Sequence, residues 1–218
     1  YSASECNCGI QLVASRMKTI AITLRNSHKI PRLEEHLKNS GILEYQIFYG
    51  INGPKSGLAT TIPFDIDSPG SGYKIGPTTL GCTLSHWNLW NTLDFQSRNG
   101  DTTEFWMVVE DDVLFKDGWK NEVESAIKDV PPDWDMIFPG SCCLGGRIKS
   151  TIRAGLVEAW PLCTHCYIVR KKALKTLIET NEEQYGPIDV QLYFKSFPNM
   201  KIYAIDPRVA DQFETFIV

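Results

Sequence analysis

The sequence predicts a three-layer α/β fold built on a mostly parallel, Rossmann-like central sheet. Three observations carry this expectation. Short β-branched or aromatic runs alternate with segments of helical period along most of the chain. The stretches between successive strands are long enough for right-handed crossovers. The most apolar run, Phe105 to Val109 (FWMVV), reads as a central strand buried on both faces.

Lys18 to Leu24 (KTIAITL) is the first strand, followed by polar Arg25-Asn26-Ser27 and by Pro31 where a first helical turn accepts it. That helix runs to about Lys38 and stops at Gly41. Glu44 to Tyr49 is a second strand. Gly50 to Pro77, rich in Gly, Pro, Ser and Thr, is a long irregular connection of the kind that often carries binding function. A helix follows from Thr78 to Phe95, with Leu80, Leu84, Trp87 and Asn91 along one face and Cys82, Thr83, His86 and Trp90 along another. The central strand then ends in Glu110-Asp111-Asp112. Trp119, Val123, Ala126, Ile127 and Val130 fall at helical spacing before Pro131-Pro132. Trp134 to Phe138 is a strand, and Pro139 to Gly146 a loop with paired cysteines and paired glycines. Cys166 to Val169 leads into a helix buried through Ala173, Leu174, Leu177 and Ile178. Pro187 opens a short helix from Ile188 to Phe194, and Lys201 to Ile205 is a last strand.

The chain has 218 residues, of which 43% are hydrophobic and 22% charged, as expected of one soluble domain. Residues 1–16 have no clear period and read as an extension, tag or stem remnant, which leaves 17–218 as a single domain. Lys and Arg number 22 against 26 acidic residues and are scattered, which argues against a nucleic-acid partner. No uncharged apolar run approaches the roughly 18 residues of a membrane helix. Seven cysteines in so long a chain do not make a disulfide scaffold. Their number favours a reducing, cytoplasmic compartment over a secretory lumen, which would require a removed signal or stem. Cys163-Thr-His-Cys166 lacks a matching second pair and reads as buried strand-edge cysteines.

Three consecutive carboxylates at the end of an apolar strand repel one another and run against β-propensity, so they need a cause. A bound divalent cation is the simplest. Residues i and i+2 share a face, so Glu110 and Asp112 point together while Asp111 points away or toward a supporting partner. Such a pair leaves most of the shell of Mg²⁺ or Mn²⁺ open for a diphosphate. The rival reading is an acidic turn that caps the following helix. GxGxxG after the first strand and GxxxxGK[ST] are both missing, so dinucleotide and P-loop readings lose support.

Gly81-Cys-Thr-Leu-Ser-His86, followed by Trp106-Met-Val-Val-Glu-Asp-Asp-Val113, resembles the paired signature of glycosyltransferase family 25, that of lipopolysaccharide-biosynthesis and procollagen galactosyltransferases. Ile20 to Leu24, Trp134 to Gly140, Tyr167 to Leu177 and Pro187-Ile-Asp189 are similar to further stretches in that family's order. The resemblance spans roughly Lys18 to Pro207. It implies a GT-A-type fold, a UDP-sugar donor of galactose or glucose type, Mn²⁺ (or Mg²⁺) held at a DXD-like motif, and inversion at the anomeric carbon. The acceptor is then a hydroxyl of a glycan or glycosylated molecule.

Carried onto this chain, the resemblance and the chemistry together assign roles. Glu110 and Asp112 hold the metal, with His165 as a further ligand. Thr23, Leu24, Arg25, Asn26, Arg32, His86, Glu110 and Asp111 serve the donor; here the chain departs from the family's Asn-Leu-Asp with a close Arg pair. A carboxylate must take the proton of the incoming hydroxyl. Asp189, behind Pro187, is the first candidate, although an aspartate there also suits a helix N-terminus. Glu158, before Trp160-Pro161, is the reserve. Ser141 in the glycine-rich loop and Trp160, whose ring suits a pyranose face, are acceptor candidates. His28 and His36 lie on or near a polar helix face with no specific role, and the remaining tryptophans are core. Two rivals remain: a metal-dependent nucleotidyltransferase or phosphohydrolase, which would act at phosphorus, and an inactive relative that binds glycan or nucleotide without turnover.

Overall fold

The computed structural model describes residues 17–57, 63–64, 73–184 and 186–213. The expected extension at 1–16 lies outside the described residues, as does part of the connection between Gly50 and Pro77.

In chain order the elements are β1 (Met17–Thr23), α1 (Ile30–Asn39), β2 (Tyr45–Tyr49), β3 (Pro63–Phe64), β4 (Tyr73–Lys74), α2 (Pro77–Arg98), β5 (Phe105–Glu110) and β6 (Val113–Phe115). The second half continues with α3 (Trp119–Asp129), β7 (Met136–Gly140), β8 (Ile148–Arg153), β9 (Leu156–Ala159), β10 (Cys166–Arg170), α4 (Leu174–Thr180), α5 (Ile188–Gln191), β11 (Ile202–Ile205) and β12 (Ala210–Gln212). The main sheet is ordered β2-β1-β5-β10-β7-β11-β9-β8, with β12 joining β6 and β7.

The sheet is mixed. β2, β1, β5, β7, β11 and β8 share one direction, while β10 and β9 run against them. β10 is therefore inserted antiparallel between β5 and β7, where the sequence reading expected another parallel strand.

Alternation along the strands sorts the core onto the two faces of the sheet. Ile20, Ile22, Trp106, Val108, Tyr167 and Val169 share one apolar cluster with Leu89, Trp90 and Leu93 of α2 and Leu174 and Leu177 of α4. Ala21, Phe105, Met107, Val109, Cys166 and Ile168 share the other with Leu33 and Leu37 of α1 and Trp119, Val123 and Ala126 of α3. Helices on both faces make the three layers expected. In α2 the deepest stripe is Thr83, His86, Trp90 and Leu93, the face that carries the signature histidine.

Three features were not anticipated. β6 and β12 pair antiparallel across Ala210 and Phe115, and β8 and β9 form an edge hairpin between Gly145-Gly146 and Pro161. β8 is polar and mostly exposed, so its composition (IKSTIR) carries no burial signal. His36, expected to be idle, accepts the Phe115 backbone N–H through Nε2 at 2.8 Å and so ties α1 to β6.

Ile168 is fully buried at the centre of the sheet. Ile168→Ala should lower unfolding free energy by about 2–5 kcal/mol, read from the urea midpoint at unchanged slope. At the mouth of β5, the Lys18 ammonium, the Thr103 hydroxyl and the Thr103 N–H hold the Asp101 carboxyl down at about 2. Because the folded value lies below the ordinary value of about 3.9, this stabilisation is present above about pH 4 and is lost as pH falls through 2. The pair is part-exposed, so Asp101→Asn should cost on the order of 1 kcal/mol or less at pH 7, and the difference should vanish below about pH 2.

Candidate functional site

The carboxyl ends of β1 and β5 open onto a cavity of about 630 Å³. Its wall combines the β1–α1 loop from Thr23 to Lys29, the segment Gly50 to Lys55, Thr78, Cys82, Ser85 and His86 of α2, and Glu110, Asp111 and Asp112. Ligands in open α/β sheets sit at this end of the strands.

Two glycines let the wall form. A Cβ on Gly53 would stand 1.6 Å from the Pro77 carbonyl oxygen, and one on Gly81 would stand 2.7 Å from the Gly53 nitrogen and the Ile51 oxygen. The 50–55 segment is thus pressed onto α2 at contact distance. Ser85 completes the seam: its hydroxyl accepts the Ile51 N–H at 2.8 Å and donates to the Gly81 carbonyl at 2.6 Å.

Glu110 ends β5 on the face that α2 covers, two residues beyond Val108. It therefore meets His86, which is wholly buried. His86 Nε2 lies 3.3 Å from Glu110 Oε1, and the Thr164 hydroxyl donates to the same oxygen at 2.7 Å. The Glu110 N–H is bonded to the His165 carbonyl at 3.0 Å, which continues the β5–β10 ladder. Burial alone would raise the Glu110 carboxyl, but the His86 and Thr164 contacts outweigh it and hold the group below its ordinary range.

Behind His86 stands a second layer. The Trp90 indole N–H donates to the Tyr167 hydroxyl at 3.0 Å, and that hydroxyl lies 3.0 Å from His86 Nδ1. Ionised Glu110 only accepts, so Nε2 carries the proton; in the neutral ring Nδ1 then accepts the tyrosine O–H. Trp90, Tyr167, His86 and Glu110 form one chain of donors and acceptors running from the core to the cleft.

Asp111 and Asp112 diverge. Asp111 Oδ2 accepts the Thr23 hydroxyl at 2.7 Å and the Ser27 hydroxyl at 3.3 Å, while Oδ1 pairs with the Lys29 ammonium at 2.9 Å. It fastens the β1–α1 loop through these contacts. The Asp112 carbonyl accepts the Phe213 N–H at 2.7 Å. Its carboxylate reaches Lys29 only at 3.7 Å, and its Oδ1 is buried without a hydrogen-bond partner. Burial and then the Glu110 charge push the Asp112 carboxyl up. An orphaned, desolvated carboxylate oxygen beside a second carboxylate suits an oxygen-seeking divalent cation.

Asp189 opens α5. Its Oδ2 accepts the Cys163 N–H at 3.0 Å and its Oδ1 the Val190 N–H at 2.9 Å. The Cys82 residue on α2 is exposed at the cleft; packing around its thiol and then the charges of Glu110, Asp189 and Asp112 push the thiol up.

Other sequence-derived candidates fall differently. Thr23, Leu24, Arg25 and Asn26 line the cleft, and Arg25 also lies over the Tyr49 ring at 4.7 Å. Arg32 does not line it; its guanidinium stacks on Phe213 at 3.3 Å, because residue 32 sits on the outer face of α1. Glu158 is not in a loop before the site. It lies on β9, accepts the Ser150 hydroxyl and pairs with Lys149 in the edge hairpin, at the far side of the sheet from β5. Trp160 is buried, with Arg147 and Lys149 over its ring at 4.7 and 4.9 Å, so neither its exposure nor its surroundings suit an open sugar platform. Ser141 is buried at the end of β7. His165 is also buried behind the cleft, with Nε2 3.3 Å from the Ala210 carbonyl. Among the described residues it does not converge with Glu110 and Asp112 as a trio; the cleft trio that does, within 4.8 Å, is Cys82, His86 and Glu110.

The sequence reading missed Lys29, His28, Ser85, Thr164 and Tyr167. Lys29 and Ser85 carried a signal, a cation in the polar stretch after the first strand and a small hydroxyl within the Gly81 to His86 motif. Thr164 and Tyr167 carried none, because only the antiparallel register of β10 brings them to Glu110. Tyr167→Phe should strand the Trp90 indole N–H and His86 Nδ1 in the core. A loss of about 1–3 kcal/mol in chemical denaturation is expected.

Comparisons with known proteins agree with this architecture. Residues 17–140, more than half of the chain, match the profile of glycosyltransferase family 25 (LPS biosynthesis protein). Procollagen galactosyltransferase 1 of Danio rerio is 31% identical over 160 residues, covering 64% of this chain and 26% of that protein. Putative glycosyltransferase R655 of Acanthamoeba polyphaga mimivirus is 28% identical over 143 residues, covering 62% and 40%. The chain thus spans between a quarter and two fifths of the length of these relatives. Among solved structures, a glycosyltransferase involved in the glycosylation of the major capsid of PBCV-1 aligns with a TM-score of 0.51 at 13% identity, over 90% of this chain and 92% of that one. A197 from STIV aligns with a TM-score of 0.51 at 13% identity, over 91% and 86%. These two likenesses concern the fold, which is of the GT-A type.

Proposed function

The chain belongs to glycosyltransferase family 25, and on that premise we propose that it moves a hexose from a UDP-sugar to a hydroxyl of a glycan or glycosylated acceptor, with inversion at the anomeric carbon. The observation that carries the reading is the buried, unpartnered Oδ1 of Asp112 beside Glu110 at the mouth of a cleft large enough for a nucleotide.

Asp112 and Glu110 would hold Mn²⁺ or Mg²⁺, which when bound supplies the positive charge that a departing diphosphate needs. Every other part falls to side chains of this chain. Lys29, anchored on Asp111, sets a fixed ammonium at the rim, where it can meet a phosphate oxygen as the bond to the sugar lengthens. His86 keeps Glu110 ionised and oriented. The Thr23 to Lys29 loop and the Gly50 to Lys55 segment face each other across the space a nucleoside would fill. Asp189 takes the acceptor proton; its two N–H contacts hold the carboxylate in one orientation and leave each oxygen a free lone pair.

This reading predicts that UDP binds in calorimetric titration with Mn²⁺ and fails to bind with EDTA. Asp112→Asn, of nearly equal volume, should weaken the metal-dependent binding at least about tenfold and slow turnover by about 10²–10³. Equal UDP binding with Mn²⁺ and with EDTA would remove the metal from the donor site. Release of UMP or free phosphate in place of UDP would move the chemistry to phosphorus.

A further inference from the structure

Cys142 and Cys163 are joined by a disulfide, where the sequence reading left every cysteine unpaired. The bridge links the exit of β7 to the segment that enters β10. Cys163 has φ +71°, the left-handed region, and is the one non-glycine residue there among those described. A side chain with a Cβ does not rest in that region without being held.

The short segment so held touches both halves of the site. The Cys163 N–H goes to Asp189, the Thr164 hydroxyl to Glu110, and the His165 carbonyl accepts the Glu110 N–H. Residues 163–165 therefore span from the proposed proton acceptor to the donor-side carboxylate. On the other side of the bridge, Cys142 and Cys143 exchange backbone bonds with Leu162 at 3.0 Å. Beyond them the chain runs through part-buried Gly145 to exposed Gly146-Arg147. A ring nitrogen of His165 lies within 4.8 Å of both sulfurs, which closes the junction beneath the cleft.

We propose that the Cys142–Cys163 disulfide is a positioning element that holds the Cys163 amide on Asp189, and so sets the proton acceptor against the donor site. The catalytic consequence rests on the reading of Asp189 given above; the positional claim does not. Cys142 is the exposed partner, so it is the sulfur that a small external thiol reaches. Its thiolate attacks Cys142 Sγ, the S–S bond breaks, and Cys163 leaves as thiolate and takes up a proton. A second thiol then displaces Cys142 from the mixed disulfide, giving two protein thiols and one external disulfide. With the bridge open, Cys163 is free to leave the left-handed region and its N–H to leave Asp189.

The test is hydrogen exchange of the peptide covering Leu162 to Cys166, measured on the oxidised chain, on the chain reduced with dithiothreitol, and on Cys142→Ser. Opening the bridge should speed exchange of the Cys163 amide at least tenfold. Asp189→Ala, which leaves the disulfide intact, should raise the same amide's exchange. UDP titration with Mn²⁺ reads the folded donor site and should change less than twofold in reduced protein and in Cys142→Ser. With UDP-galactose as the probe, the same two forms should show UDP release slowed at least tenfold at unchanged donor KM, and oxidation by glutathione disulfide should restore it in the wild-type chain. Unchanged exchange at Cys163 after reduction overturns the positional claim. Full turnover in Cys142→Ser alongside an inactive Asp189→Asn overturns its catalytic consequence alone. An active Asp189→Asn instead removes the proton-acceptor role and leaves the exchange result standing.

Discussion

The cleft depends on one electrostatic requirement: the carboxylate of Glu110, at the end of a strand with five buried residues before it, must stay ionised although it is only part-exposed at the cleft wall. Burial there works against the charged form. Here it is met from α2 by His86 and from the entry to β10 by Thr164, while the Glu110 backbone N–H is held along the ladder by the His165 carbonyl. Each of those partners is itself held, His86 by Tyr167 and Tyr167 by Trp90. The polar chain is continuous and joins α2 to β5 and β10. Satisfying one carboxylate thus fixes the relative position of a helix, two strands and a turn.

Around that fixed group the other two acidic residues divide the work. Asp111 is engaged at both oxygens by Thr23, Ser27 and Lys29 and acts as a clasp on the β1–α1 loop. Asp112 keeps an oxygen without a partner. Three adjacent carboxylates that looked equivalent as letters therefore have three different surroundings, and only one is left with unmet demand. The charge repulsion that made the triplet conspicuous in the sequence is relieved mainly by Lys29, which faces both Asp111 and Asp112.

Much of the fold was legible because burial leaves a periodic trace. FWMVV could only be an interior strand, and the spacing of Trp119, Val123 and Ala126 could only be a helix face. The part of the cleft built on the ends of β1 and β5 was legible for the same reason: its residues follow directly on strands whose ends could be read. What escaped has physical causes. β8 is an exposed edge, and β6 and β12 are three-residue strands whose pairing is entirely non-local. Trp160 was misjudged because Pro161 suggested an irregular surface, whereas the ring is roofed by Arg147 and Lys149. Glu158 was misjudged with it, since both sit on the hairpin that was read as loop. The pairing of Cys142 with Cys163 joins residues 21 apart, and no local pattern marks it.

The register of β12 has a consequence for how the molecule comes into being. Asp112 lies near the middle of the chain, yet its carbonyl is capped by the Phe213 N–H, and among the described residues β6 beside it pairs only with β12. During synthesis the amino-terminal half emerges and begins to compact well before residue 213 leaves the ribosome. For that interval the acidic turn lacks the strand that closes it, and β10, which separates β5 from β7, is absent until residue 170 is made. A nascent chain can therefore hold the sequence motif of its family in full while the acidic turn that ends the motif still lacks its cap.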